Sequence, residues 1–110
     1  HENTETLDLP TFLVDGKDDV FGVRVKGQSM IDAFITDGDL VLLEPTTNAV
    51  NGEMVAAWIQ DNQEVTLKHF YLENGTVRLQ PANPMMDPIY VPADKVSVQG
   101  RVVGVIRSVN

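Results

Sequence analysis

Ser29 sits between Gly27-Gln28 and Met30. It follows an alternating run, Val23-Arg24-Val25-Lys26, and precedes a turn signal, Asp37-Gly38-Asp39. A serine between a flexible glycine, two residues before it, and a methionine, at a strand end, is placed to be presented to a substrate rather than buried. Its hydroxyl is a weak nucleophile until a base takes the proton. Histidine is a poor source of that base. His69 is the only histidine inside the body of the chain, and His1 lies at a polar end expected to fray.

Lysine is the remaining candidate. Lys17 and Lys95 lie in polar turns, and Lys26 lies on the strand before the serine. Lys68 is mid-strand in Glu64-Val65-Thr66-Leu67-Lys68-His69-Phe70-Tyr71-Leu72. Strand alternation puts it on one face with Thr66, Phe70 and Leu72, and puts His69 on the other. A lysine works as a base only when neutral, a state favoured by removal from water and from acids. Two apolar neighbours and one hydroxyl supply such a seat, with Thr66 available to orient the amine. The same position also suits a lysine that lies along an apolar face with its charge in water. Strand pattern alone favours this second reading.

Other chemistries are poorly served. There is no HExxH, no histidine pair at i, i+4 and no glycine-rich phosphate loop. Asp37-Gly38-Asp39 resembles part of a calcium loop but lacks the other alternating ligands, so it reads as a tight turn. No metal or cofactor is expected. Met54 and Trp58 read as core, and Met85-Met86 as loop packing or interface.

The elements that must position Ser29 and Lys68 fit in one domain. The chain has 110 residues and is 43% hydrophobic, enough for a modest core. Sixteen acidic residues outweigh 8 basic ones, a formal net charge of −8, with no basic run. That balance argues against this chain clamping a phosphate backbone by itself. The absence of cysteine excludes a disulfide framework. Apolar runs fall far short of the roughly 20 residues that span a bilayer, so a cytoplasmic location without membrane contact is expected. Because residue 1 is His, the chain reads as a fragment or a processed product.

Turn signals recur at the short spacing of an all-β domain. Residues 1–6 read as frayed and Leu7 to Pro10 as a short edge strand. Residues 1–19 form an acidic, mobile or edge segment. Strands follow over Val20 to Lys26, Leu40 to Leu43, Glu53 to Gln60, Glu64 to Leu72, Thr76 to Leu79 and Ile89 to Val91. Two further segments, Val96 to Val98 and Arg101 to Val109, close the chain. Asn74-Gly75 is a strong hairpin turn. Ile31 to Phe34 allows one short helical turn with Ser29 as its cap. The expectation is a small domain of strongly bent antiparallel sheets, with at most one helical turn.

An ordered set of motifs resembles the catalytic domain of the LexA family. It comprises Val25-Lys26-Gly27-Gln28-Ser29-Met30-Ile31-Asp32, Asp37-Gly38-Asp39-Leu40, Asn51-Gly52-Glu53 and Glu64-Val65-Thr66-Leu67-Lys68. It continues through Leu79-Gln80-Pro81-Ala82-Asn83-Pro84 and Gly100-Arg101-Val102-Val103-Gly104-Val105-Ile106-Arg107. The serine motif alone is weak; the set in order, from about Leu7 to Arg107, is specific. UmuD, phage repressors and type I signal peptidases share the Ser/Lys arrangement, and the closing motif favours LexA.

This resemblance implies a serine endopeptidase that cleaves its own chain. Ser29 would be the nucleophile and Lys68 the general base, with the main-chain N–H groups of Gln28 and Ser29 holding the oxyanion. It implies a homodimer through a C-terminal strand, here Arg101 to Val109, although Val102, Val103, Val105 and Ile106 equally suit a central strand buried on both faces. It also implies a RecA filament on single-stranded DNA as the stimulating partner. Operator DNA would be bound only through an N-terminal helix-turn-helix domain, which this chain lacks. The family's usual Ala-Gly bond is absent from the chain and would lie upstream of His1. The alternatives are a UmuD-like polymerase subunit and a phage-repressor module that acts only in assembly.

Overall fold

The structure is a computed structural model; it describes residues 4–8 as backbone and residues 19–107 in full. Among the described residues, eight strands form one antiparallel sheet: β1 (Thr4–Asp8), β2 (Phe21–Val25), β3 (Leu40–Pro45), β4 (Met54–Ile59), β5 (Glu64–Glu73), β6 (Thr76–Gln80), β7 (Ile89–Pro92) and β8 (Val96–Ile106). Their spatial order is β1-β2-β3-β8-β4-β5-β6-β7. The all-β expectation holds. Two short 3-10 turns occur among the described residues, at Ile31–Ala33 and Ala93–Lys95, where one was expected.

Two local expectations need correction. Thr4 to Thr6, expected to fray, belong to β1, which pairs with β2 from Thr4↔Val25 to Asp8↔Phe21. The expected strand's Leu9 and Pro10 lie outside the described residues. The two closing segments are one continuous strand. β8 carries an unpaired extra residue at each of two register shifts: Ala56 and Ala57 of β4 face Gly100 and Val98, and Leu42 and Leu43 of β3 face Gly104 and Val102. Such bulges bend a strand and increase its twist. They let β8 pass from β4, paired over Val96 to Arg101, to β3, paired over Gly100 to Ile106. Gly100 sits at the crossing, where an added Cβ would lie 2.9 Å from the Glu44 carbonyl and 3.2 Å from the Phe21 ring.

β4 and the middle of β5 are buried on both faces, and this divides the core in two. Ala56 and Leu67 join Val23, Val25, Met30, Ile35, Val41 and Leu43 on one side. Val55, Ala57 and Phe70 join Ile59, Val77, Leu79, Val91 and Val98 on the other. Each fully buried Val or Leu contributes about 1.5–3 kcal/mol of transfer free energy, so these two clusters hold the strands that carry the site. Met54 packs against the first cluster, as expected of a core residue. Trp58 is only half-buried.

Candidate active site

Ser29 leaves β2 through a tight corner. Gly27 has φ 93°, a region costly for any side chain with a Cβ, and its N–H donates to Asp37 Oδ1 at 2.8 Å. The chain then enters the 3-10 turn, where Ala33 and Ile35 N–H groups both donate to the Met30 carbonyl. Met30 is 1% exposed in the first core cluster, so the residue after Ser29 is anchored by burial. Two expectations for Ser29 are overturned. The turn begins at Met30 with no side-chain cap, so Ser29 does not cap it. Nor does Ser29 stand exposed: its exposure is 0%.

Its hydroxyl is committed to Lys68. Lys68 Nζ donates to Ser29 Oγ at 3.0 Å and to Thr66 Oγ1 at 2.6 Å. Lys68 and Thr66 are each 3% exposed, which decides between the two sequence readings: the lysine is buried and does not reach water. Strand alternation carried Thr66 and Phe70 to the lysine's side as expected, with Phe70 8% exposed. Leu72 is 47% exposed and adds little desolvation. The lysine is seated instead because β5 pairs with β4 in a register that sets Lys68 opposite Val55 and Thr66 opposite Ala57, both fully buried. His69 faces away, with Nδ1 at 3.1 Å from the Gly52 carbonyl oxygen.

Two polar clamps flank the serine. The first is Asp39, 2% exposed, whose carboxylate accepts the Thr36 N–H at 2.9 Å and two bonds from Arg107, at 2.9 and 2.7 Å. The Arg107 hydrogen bonds hold the Asp39 carboxyl below its ordinary pKa against burial, which pushes it up. Arg107 also donates to the Phe34 carbonyl at 2.7 Å, where Phe34 has φ 62°. Asp37-Gly38-Asp39 is therefore a turn whose carboxylates serve Gly27 and Arg107.

The second clamp was missed as a functional feature. The loop after β6 lies beside the serine segment. Asp32 N–H donates to the Ala82 carbonyl at 2.7 Å, Ala82 N–H to Met30 Sδ at 3.4 Å, and Asn83 Nδ2 to the Gln28 carbonyl at 2.8 Å. The signal was the Pro81-Ala82-Asn83-Pro84 string within the family motifs, which sequence alone could not place next to residue 28. Met85, in the same loop, is 89% exposed.

A buried hydroxyl, an amine and a second hydroxyl in line can abstract and return a proton in a water-poor setting. Among the described residues no cluster of His, Cys, Asp or Glu could hold a metal ion. No described helix is long and apolar enough to cross a membrane. The family model for Peptidase S24-like proteins matches residues 1–103. The chain belongs to the Peptidase S24-like family. It is 61% identical over 90 residues to a LexA repressor of Herpetosiphon aurantiacus, which covers 82% of this chain and 42% of that relative. LexA repressors of a Roseiflexus species and of Koribacter versatilis are 52% and 51% identical over 106 residues, each covering 49% of the relative. The resemblance read from the motifs holds, and the chain spans about half the length of the curated relatives it matches.

Proposed function

We propose that this chain is the self-cleaving and dimerising domain of a LexA-type repressor of the DNA-damage response, acting in the cytoplasm. The observation that carries this reading is the 3.0 Å bond between Lys68 Nζ and Ser29 Oγ, with all of its groups buried. Neutral Lys68 accepts the Ser29 proton as Oγ attacks the carbonyl of a small-residue–Gly bond. The resulting ammonium delivers that proton to the leaving amine as the C–N bond breaks, and Lys68, neutral again, takes a proton from a water that hydrolyses the acyl-Ser29 ester and returns it to Oγ. Thr66, 2.6 Å from Nζ, aims the amine. The main-chain N–H groups of Gln28 and Ser29 stabilise the oxyanion; such donors contribute roughly 10²–10³ each in rate. A peptide reaching Ser29 must displace what packs over it, which gives a stimulating partner a step to act on. That partner is a RecA filament on single-stranded DNA, and operator DNA is contacted by a separate domain of the longer protein.

Dimerisation is assigned to the last part of β8. From Val102 to Ile106 this strand pairs with β3 and has no β4 partner among the described residues. Val103, Val105 and Ile106 are 46%, 42% and 40% exposed, unlike a strand buried on both faces.

The test incubates the longer protein carrying this domain with the filament, and separately at alkaline pH. Wild type is cut at one small-residue–Gly bond, while Ser29→Ala and Lys68→Ala each lose at least about 10³-fold in rate. Cleavage at the same bond by either variant at a rate near wild type would sink the mechanism.

A further inference from the structure

We propose that Asn83 is a positioning residue of the reaction, holding the Gln28–Ser29 peptide so that its N–H meets the oxyanion. The proposal rests on the Ser29–Lys68 reading above. A peptide unit is planar and trans, so fixing its C=O fixes its N–H in the opposite direction. The Gln28 carbonyl accepts two bonds, from Asn83 Nδ2 at 2.8 Å and from Ile31 N–H at 3.3 Å. The shorter comes from a side chain 55 residues away. The Ser29 N–H belongs to this same peptide unit and is turned away from Asn83.

Asn83 is itself aimed. Its Oδ1 accepts the Met85 N–H at 2.9 Å, and its carbonyl accepts the Met86 N–H at 3.1 Å. With Oδ1 engaged by a donor, the amide has one orientation left, with Nδ2 toward Gln28. The loop is then tied to the other flank of the serine by the Asp32 N–H bond to the Ala82 carbonyl. A donor on the carbonyl also polarises the peptide, making its N–H a stronger donor to a developing negative charge. The hydrogen bonds of the Asn83 side chain go to the Gln28 carbonyl and the Met85 N–H, so it acts on the oxyanion through one peptide plane.

The test follows hydrolysis by this chain of a supplied peptide containing an Ala-Gly bond, across alkaline pH. The variants are Asn83→Ala, Asn83→Asp, Ser29→Ala and Lys68→Ala. Asp keeps the acceptor for Met85 but replaces the amide donor with an oxygen facing the Gln28 carbonyl. Both Asn83 variants are expected to lower kcat about 10- to 100-fold, less than the roughly 10²–10³ lost when an oxyanion donor is removed outright, because the N–H remains and only its aim is loosened. KM should stay within about twofold and the pH midpoint should not move, because the dyad is intact. Wild-type kcat in Asn83→Asp, or an effect confined to KM, would overturn the proposal. So would loss of folding in both Asn83 variants, which would make the residue part of the scaffold. Failure of the underlying reading looks different: no turnover by wild type, or turnover that survives Ser29→Ala.

Discussion

Arg107 places two guanidinium nitrogens on the carboxylate of Asp39, 68 residues earlier in the chain, at 2.9 and 2.7 Å. The pair ties the end of β8 to the turn behind the serine segment. Because Asp39 is held below its ordinary pKa by Arg107, it stabilises the fold above the unfolded carboxylate value of about 4. That contribution fades as pH falls through the lower folded value. Asp39→Asn should cost about 1–2 kcal/mol near neutral pH, since Arg107 stands half in water and screens part of the interaction. Urea melts at pH 7 and below pH 3 would check this. The variant's deficit should shrink at the acid end, and an equal deficit at both would contradict the assignment.

Thr66 offers a second check. Thr66→Val keeps the shape and removes the oxygen that takes the 2.6 Å bond from Lys68. Cleavage should slow about 10-fold, with Thr66→Ser near wild type. A Thr66→Val protein that cleaves at the wild-type rate would remove Thr66 from the mechanism.

Gly100→Ala tests the crossing of β8. The new methyl would sit 2.9 Å from the backbone oxygen of Glu44 and 3.2 Å from the Phe21 ring. Backbone cannot yield as a side-chain tip can, so the change should destabilise by about 1–3 kcal/mol. Chemical denaturation reads this directly. A wild-type midpoint would mean that β8 passes β3 with more room than these distances allow.

Self-association is checked on β8. Val103→Glu with Val105→Glu puts like charges where two copies of the strand would meet, while both positions are about half exposed in one copy. Sedimentation should show the dimer weakened at least about 10-fold, because like charges set opposite each other repel. The monomer's melting should change little. An unchanged dimer would move the interface elsewhere.

Local physics made much of this legible in the sequence. Strand period put Thr66 and Phe70 on the lysine's face, and Asn74-Gly75 marked the β5–β6 hairpin, with φ values of 52° and 78°. The order of motifs was enough to mark residues 29 and 68 as a pair. Tertiary structure decided what period and propensity do not encode. Ser29 is buried beside Met30, which packs into the core together with Ile35 on the far side of the 3-10 turn, while no residue of the turn itself is buried. Burial of Lys68 depends on its register opposite Val55. Asn83 reaches Gln28 across 55 residues and Arg107 reaches Asp39 across 68, distances over which sequence spacing carries no direction. The continuity of β8 was hidden because its two extra residues break the alternation, and only pairing with both β3 and β4 joins its halves.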